Sequence, residues 1–500
     1  MFSNIDFYKF WQLFVYNPND RLYFGSSFFL FLILGLLIIY RLAAKSKNIK
    51  IYSLIFFSLF FYYKDSGYFF LLLFFSTFIN FYFGSFIFKA KKPGIKRFLF
   101  ILVLIINLGL LIYFKYTNFF LQILNDIHAG NFQPLNLLLP VGISFYTFKA
   151  MSYVIDLYIG NIEEPTKSLR DFCLYMFFFP NILAGPIDRA VAFLPQIQEE
   201  HQITKEDIGR ALFLIMCGLF KKNIIADYIG LNFVDRVFQV PLRFTGVENL
   251  LASYAYVLQI YCDFSGYTDM ALGIALLFGY KLMENFNIPF ISTSVADYWR
   301  RWHISLSTWL LDYMFKPLQM KFRRLKIWGS AFAIFLTFIA IGFWHGANWT
   351  YLAFGLLHST YLAVSILTIK YRKAIYDKLH LTGTKFLKVF QIIITFHLLL
   401  VGAIIFRSES LSTAMNVFHQ IFRYFHGIVF FQWITGYTQV FVLIVIGYAM
   451  HFIPKSIDKK VESALTASPV YVQALFLAIM IIIVVQVESA QLQPVIYFNF

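Results

Sequence analysis

Apolar runs long enough to cross a hydrocarbon core as helices, about 17 to 25 residues each, recur along almost the whole chain. They centre near 22–43, 51–63, 67–88, 98–114, 135–158, 171–187, 208–226, 247–280, 329–344, 350–369, 386–406, 433–453 and 469–487. With 247–280 counting as one helix or two and the shortest runs set aside, the pattern predicts about eleven to thirteen membrane helices. Several are short or interrupted by Pro and Gly, which is how re-entrant segments read. Polar-rich stretches at 159–171, 188–210, 281–328 and 371–385 separate them, with no repeat of fixed period and no low-complexity linker. The expected fold class is therefore an all-α polytopic membrane protein. Residues 1–500 form one membrane domain, with its motif-bearing core at about 139–367 and further helices over 386–500.

Composition narrows the solvent. The chain is 59% hydrophobic and 14% charged, whereas a soluble domain keeps about a quarter of its residues charged. It cannot cover itself with polar groups, so its solvent is lipid. The opening "MFSNIDFYKFWQLFVYNPNDR" lacks the basic n-region and small-residue cleavage site of a signal peptide, so the first spanning helix is expected to stay on. The net charge of +16 does not point to nucleic acid. Its cations cluster in short loops: Lys45, Lys47 and Lys50; Lys89, Lys91, Lys92, Lys96 and Arg97; Lys321, Arg323, Arg324 and Lys326; Lys370, Arg372 and Lys373. Between spanning helices this is the positive-inside pattern, which assigns those loops to the cytoplasm. Cys173, Cys217 and Cys262 lie in apolar surroundings and suggest neither a disulfide framework nor a zinc site.

Polar residues that lipid would not tolerate alone concentrate between about 140 and 350. In "LPVGISFYTFKAMSYVIDLY" (139–158), Pro140 and Gly142 interrupt an apolar run. In "YMFFFPNILAGPIDRA" (175–190), Pro180, Gly185 and Pro186 do the same. Irregular backbone survives at membrane depth only where protein or water covers it, so both segments are expected to line a cavity, the alternative being kinked interfacial loops. In "YCDFSGYTDMALGIALLFGY" (261–280), Asp263 and Asp269 need partners, with Ser265, Tyr267 and Thr268 nearby. This is either the polar wall of a substrate cavity or a knot holding helices together.

Read as a helix, "DYWRRWHISLSTWLLDYMF" (297–315) places Trp299, Trp302, His303, Leu306, Trp309, Leu310 and Tyr313 on one stripe. That predicts an amphipathic helix near the interface, with His303 on its aromatic face. A second histidine, His345 in "IGFWHGANWT" (341–350), also follows a Trp, and stands where an apolar helix is expected to end. Gly342 and Gly346 there permit close backbone approach. The two histidines are 42 residues apart, which matches no short metal-ligand spacing, and no carboxylate flanks His345. No nucleophile elbow, Walker loop or Rossmann glycine loop occurs. Three readings stay open on the residues alone: an imidazole general base in an intramembrane site, a transporter's proton relay with Asp263 and Asp269, and structural histidines. A transporter of repeat architecture would show internal symmetry, and none is visible.

Taken in order, "LPVGISFYTF", "FPNILAGPIDRA", "YCDFSGYTDMALG", "NFNIPF…YWRRWHISLSTWL" and "GFWHGANWTYLAFGLLH" closely resemble the membrane-bound O-acyltransferase family, in its bacterial alginate O-acetyltransferase branch. "FRSESLSTA" (406–414) and the closing "PVIYFNF" fit that branch too, while Leu311 and "PLQM" (317–320) depart from it. The resemblance implies a bowl of membrane helices around a central tunnel, in the bacterial cytoplasmic (inner) membrane. It implies His345 as the catalytic histidine and general base, with His303 as the second polar residue of the site. Trp299, Trp302, Trp344, Asn348, Asp263, Ser265 and Tyr267 are then expected to line the substrate path and exclude water, with no metal. No bound cofactor is expected. Acetyl-CoA or another acyl thioester would be the co-substrate. The partners would be an extracytoplasmic glycan or an exported acetyltransferase, besides membrane lipids. A close relative of this activity, D-alanyl transfer from a carrier protein toward teichoic acids, is the alternative.

Overall fold

Gly67 divides the longest apolar stretch of the N-terminal half. Its φ of +57° takes the chain out of the right-handed helix between two helices of 20 residues, Lys47–Ser66 and Phe70–Lys89. At 1.5 Å per residue each is about 30 Å long, the thickness of a hydrocarbon core. The structure is a computed structural model that describes residues 11–18, 21–43, 45–128, 130–199, 202–488 and 494–496. Most of the opening segment and the last four residues of "PVIYFNF" lie outside the described residues. Among the described residues the chain is helical, with one isolated bridge between Phe286 and Trp302 and no strand.

The main helices, in chain order, are α1 (Ser27–Leu42), α2 (Lys47–Ser66), α3 (Phe70–Lys89), α4 (Pro93–Asp126), α5 (Ile143–Ile159), α6 (Leu169–Phe177), α7 (Ala190–Gln198), α8 (Lys205–Leu219), α9 (Gly246–Leu277), α10 (Ile304–Leu310), α11 (Lys326–His345), α12 (Trp349–Leu367), α13 (Lys385–Arg407), α14 (Leu411–Arg423) and α15 (Thr438–His451). The starts follow local chemistry. Ser26 and Ser46 accept from Phe29 N and Ile49 N to cap α1 and α2, and Pro93 stands in the first turn of α4, where its missing N–H is not needed.

Among the described residues, five helical stretches are long and apolar enough to cross a membrane: Lys47–Lys89, Pro93–Asp126, Arg323–His345, Trp349–Leu367 and Lys385–Arg407. The number rises to seven if two bent pairs each make one span, Val429–Gly436 with Thr438–His451 (94°) and Lys455–Ala467 with Val470–Ile482 (119°). The remaining apolar runs have physical reasons for falling short. The run at 135–158 becomes a helix only at Ile143, after Pro140 and the left-handed Gly142. The run at 171–187 stops at Phe177, before Pro180. The run at 208–226 loses its regular pitch to a π-helical turn at Phe220–Ala226. The run at 247–280 is the single 32-residue α9. Large apolar side chains such as Phe56, Ile105 and Phe386 stand exposed on these helices, as lipid-facing groups do.

The chain's internal packing divides into two compact units. One comprises 1–217, 267–283 and 463–499; the other, 218–266 and 284–462. In the first, α3 and α4 are joined by an amide pair that satisfies itself. Asn80 Nδ2 donates to Asn107 Oδ1 (3.0 Å) and Asn107 Nδ2 to Asn80 Oδ1 (2.9 Å), while the second N–H of each reaches the carbonyl four residues back. In lipid such reciprocal bonds are helix–helix glue. The two broken segments expected from Pro and Gly also meet here. A Cβ on Gly142 would stand 2.5 Å from Ile182 O, so only glycine lets these backbones touch. Lys149 Nζ, fully buried, donates to Tyr175 O (2.6 Å) and Asn181 Oδ1 (3.0 Å), and Asn181 Nδ2 to Asp188 Oδ2 (2.8 Å). The irregular backbone at 178–189 is thus covered by protein, as membrane depth demands.

Candidate active site

In the second unit, α11 runs to His345 and stops there, because Gly346 turns to fully extended backbone. Asn348 then restarts the chain as a helix. Its Oδ1 accepts from Thr350 N (3.1 Å) at the head of α12, and its Nδ2 donates to Glu409 O (2.9 Å). Asn348, expected on the substrate path, therefore spends its side chain on a cap and a tie. The two helices pack against each other at van der Waals limits: a Cβ on Gly342 would lie 2.5 Å from Tyr351 O, and one on Gly355 2.4 Å from Phe338 O. This fixes the end of α11 and holds His345 buried at 2% exposure.

Rings wall in the His345 imidazole. Phe406, from the "FRSES" segment, stands 5.0 Å from it and Trp344 5.1 Å, with Phe354 at 5.9 Å. The same segment is anchored by Arg407, whose Nη2 meets Asp235 Oδ1 at 2.6 Å. Trp344 also packs on His303, ring centroids 5.6 Å apart. One indole is thus the common neighbour of the two histidines that sequence singled out.

His303 is not inside a helix. The stripe expected across 297–315 is broken at this residue, whose φ of +45° and ψ of +54° are left-handed. A right-handed helix cannot pass through such a residue. Instead one turn, Val295–Trp299, ends ahead of it and α10 begins after it, followed by a π-helical turn at Leu311–Phe315. Long-range bonds to an upstream strap impose the break: Asn287 N donates to Arg301 O (3.0 Å) and Ile304 N to Asn285 O (3.0 Å). Non-glycine residues in this region cluster at functional sites, where surrounding structure over-determines them.

Asn285 orients the imidazole. Its Oδ1 accepts from Ser305 N (3.1 Å), Ser305 Oγ (2.7 Å) and His303 Nδ1 (3.4 Å). The Ser305 N–H can only donate, which identifies the Asn285 atom as oxygen, and an oxygen there requires the proton on Nδ1. His303 then presents the Nε2 lone pair as an acceptor. The imidazole is completely buried, against Phe264 at 4.7 Å, and burial pushes its pKa down to about 3. It is neutral at every ordinary pH.

The other expected residues disperse. Asp263 does find its cation: Lys222 Nζ lies 2.7 Å from Asp263 Oδ1 and 2.6 Å from Asp227 Oδ1, all three buried, with Lys222 in the π-helical turn. That is a structural knot of formal charge −1, one residue from the Phe264 that packs on His303. Ser265, two residues on from Asp263, is buried. Trp302 stacks on Tyr298 (5.4 Å) and meets Phe286 edge-on (5.1 Å). Trp299 Nε1 donates to His358 Nδ1 (3.2 Å), and its ring packs on Phe354 (6.4 Å), which touches both His358 (4.3 Å) and His345. Tyr267 belongs to the first unit, stacked on Phe24 at 4.7 Å.

Sequence reasoning missed Asn285, Lys222 and His358. Each sits in a quoted motif or apolar run, and the available signal was the cost of an isolated polar group in lipid. Among the described residues no cluster of His, Cys, Asp or Glu is arranged to hold a metal. Chemically, the site offers a neutral, oriented imidazole and a second imidazole across one indole, in a dry aromatic shell. That suits proton transfer to and from a hydroxyl.

Residues 163–406 match the description MBOAT, membrane-bound O-acyltransferase family. The chain is 38% identical over 329 residues to the probable alginate O-acetylase AlgI of Pseudomonas aeruginosa, covering 65% of this chain and 60% of that one. It is 35% identical over 418 residues to the peptidoglycan O-acetyltransferase of Helicobacter pylori, covering 78% and 77%. It is 32% identical over 285 residues to the teichoic acid D-alanyltransferase of Bacillus subtilis, covering 55% and 70%. The chain thus spans about three fifths of the alginate O-acetylase's length, and more than three quarters of the peptidoglycan enzyme's. The matched range includes His303, Trp344, His345 and Phe406, and the chain belongs to the membrane-bound O-acyltransferase family.

Proposed function

We propose that this protein is a multi-pass O-acyltransferase of the bacterial cytoplasmic membrane. It moves acetyl from a cytoplasmic thioester, acetyl-CoA, to a hydroxyl on the outer side, borne by an exported polysaccharide or by an exported acetyltransferase that passes it on. The observation that carries this reading is the shared packing of His303 and His345 on Trp344, in a chain of this family. Two of the relatives described above are named for O-acetyl transfer and align over more of this chain than the D-alanyltransferase does.

In the proposed step, the acceptor oxygen attacks the thioester carbonyl while the His345 imidazole takes the hydroxyl proton. The tetrahedral intermediate collapses, the C–S bond breaks, and the proton returns from His345 to the departing sulfur. The products are the acetyl ester and free coenzyme thiol. His303, its Nδ1 held by Asn285, offers Nε2 to orient the acceptor hydroxyl. Phe406, Phe354 and Trp344 keep water from the thioester, which a nearby base would otherwise hydrolyse.

The test is acetyl transfer by purified protein in lipid nanodiscs, from labelled acetyl-CoA to a glycan acceptor. Loss of a general base typically costs about 10²- to 10⁴-fold, so His345→Ala should fall by that much with its thermal transition unchanged. Near-normal turnover in His345→Ala removes the assignment. Transfer from a D-alanyl carrier protein and none from acetyl-CoA would instead make this a D-alanyltransferase.

A further inference from the structure

The first unit carries a cavity of about 400 Å³, lined by neither histidine, between the end of α1, the start of α2, the end of α7 and the turn at 278–280. Four cations, Arg41, Lys45, Lys47 and Lys50, line it, and Glu199 is the one acid among the described lining residues. Among the described residues Arg41, Lys45 and Lys50 enter no ion pair, while Lys47 Nζ donates to Gln198 O at 2.9 Å and keeps two further N–H donors. The floor is aromatic and rigid. Tyr40 Oη donates to Phe278 O (2.8 Å), Tyr280 stacks on Phe193 (5.4 Å), and Lys50 Nζ stands 5.5 Å over the Tyr40 ring.

The positive-inside pattern explains cations in this loop. It does not explain their convergence on a concave aromatic floor. Lys47 and Lys50 also occupy the first turn of α2, which holds no acid. The helix dipole is positive there, so each cation is repelled by its own helix unless an anion sits among them. A cavity of about 400 Å³ is in the range of small-molecule sites. It is the size of a phosphorylated head, not of a glycan chain.

We propose that this cavity binds the phosphate groups of a phosphorylated small molecule. Two sources share that chemistry: the nucleotide end of the coenzyme that carries the acyl group, and the headgroup of an acidic lipid. The coenzyme source rests on the acyl-transfer reading given above; the phosphate site does not. The two Tyr rings provide a surface for a nucleotide base. The positive-inside pattern assigns the 41–50 cluster to the cytoplasmic face.

The experiment compares the wild-type chain with the triple variant Arg41→Gln/Lys45→Gln/Lys50→Gln, in which Arg41 and Lys45 are exposed and Lys50 is half-buried. In nanodiscs of zwitterionic lipid, coenzyme A without an acyl group is titrated by calorimetry. In a parallel arm, phosphatidylglycerol retained through purification is counted by native mass spectrometry. Coenzyme binding weakened at least 10-fold in the triple variant assigns the nucleotide source. No coenzyme binding, with phosphatidylglycerol held by the wild type and lost by the triple variant, assigns the lipid source. The proposal is overturned if the triple variant keeps both ligands like the wild type, or if the wild type binds neither. Acetyl-transfer assays on the same samples separate the two ideas. A wild type that transfers no acetyl but loses its ligand on mutation sinks the functional reading and keeps the site. Unchanged KM for acetyl-CoA and unchanged lipid content in an active triple variant sink the site and keep the function.

Discussion

Replacing Asn285 by Asp tests whether His303 works as a neutral, Nδ1-protonated imidazole. The substitution keeps an oxygen for Ser305 N and Ser305 Oγ, so the local fold retains its bonds. It adds a negative charge 3.4 Å from Nδ1. At that distance and an effective dielectric of about 20, a unit charge pair is worth about 5 kcal/mol. One pKa unit is about 1.4 kcal/mol, so an imidazole held at about 3 by burial moves to between about 6 and 7. The sign follows from the charged form being stabilised: below that pH the variant's His303 is an imidazolium with no lone pair on Nε2. The wild type stays neutral throughout the assay range. Acetyl transfer, measured in nanodiscs from pH 8.5 to 5.5, should therefore be near wild type at the alkaline end. It should fall about 10-fold relative to wild type by pH 5.5 on samples matched for folded protein, because the buried carboxylate lowers the thermal transition where His303 is neutral. Ser305→Ala, which adds no charge, should leave the profile's shape unchanged. A constant ratio of Asn285→Asp to wild-type activity across the range would show that Nδ1 does not face residue 285 during turnover, and the tautomer argument would be lost.

Lys222→Met leaves Asp227 and Asp263 buried without their cation, and breaking a buried ion pair costs about 3 to 5 kcal/mol; the thermal transition should collapse, and adding Asp227→Asn and Asp263→Asn should recover most of it. Asn107→Leu strands the Asn80 amide and should destabilise by about 1 to 3 kcal/mol, whereas Asn80→Leu/Asn107→Leu should lie closer to wild type, in a detergent-denaturation series. Gly342→Ala forces a methyl to within 2.5 Å of Tyr351 O, so α11 and α12 must separate; activity should drop at least 10-fold through displacement of His345, while Gly35→Ala, with open space around it, should have no effect.

The expectations that held were those governed by local chemistry. An apolar run followed by "HGANW" ends at His345 because glycine releases the helix and Asn348 supplies the next cap, and both signals lie within four residues of the histidine. The Pro and Gly positions at 140–142 and 180–186 interrupt helices where they were expected to. The count of crossing helices was less legible. Runs such as 135–158 and 208–226 satisfy a hydropathy window, yet a left-handed Gly142 and a π-helical turn at Phe220–Ala226 shorten or distort them. The 297–315 stripe failed for a different reason. Periodicity records which side chains share a face, and here it is satisfied almost perfectly. It cannot record that Asn285 O, far upstream, claims the N–H of Ile304 and holds His303 at φ +45°.

The same limit explains why the polar residues were found and their roles were not. In lipid an isolated charge or amide is costly enough that its mere presence predicts a partner. Sequence therefore flags Asp263 as half of something, and the structure supplies Lys222. The partner determines whether the group is free for chemistry. Asp263 shares a lysine with Asp227, and Asn348 caps a helix and bonds a carbonyl. His303 is different: its bond to Asn285 uses Nδ1 and, by fixing the proton there, makes Nε2 the basic atom. A polar group that its neighbours orient without neutralising is the arrangement a catalytic residue needs, because orientation comes from the protein while charge develops only with substrate. By that criterion the carboxylates paired on Lys222 hold helices together, and the imidazoles on either side of Trp344 are the groups we propose for the chemistry.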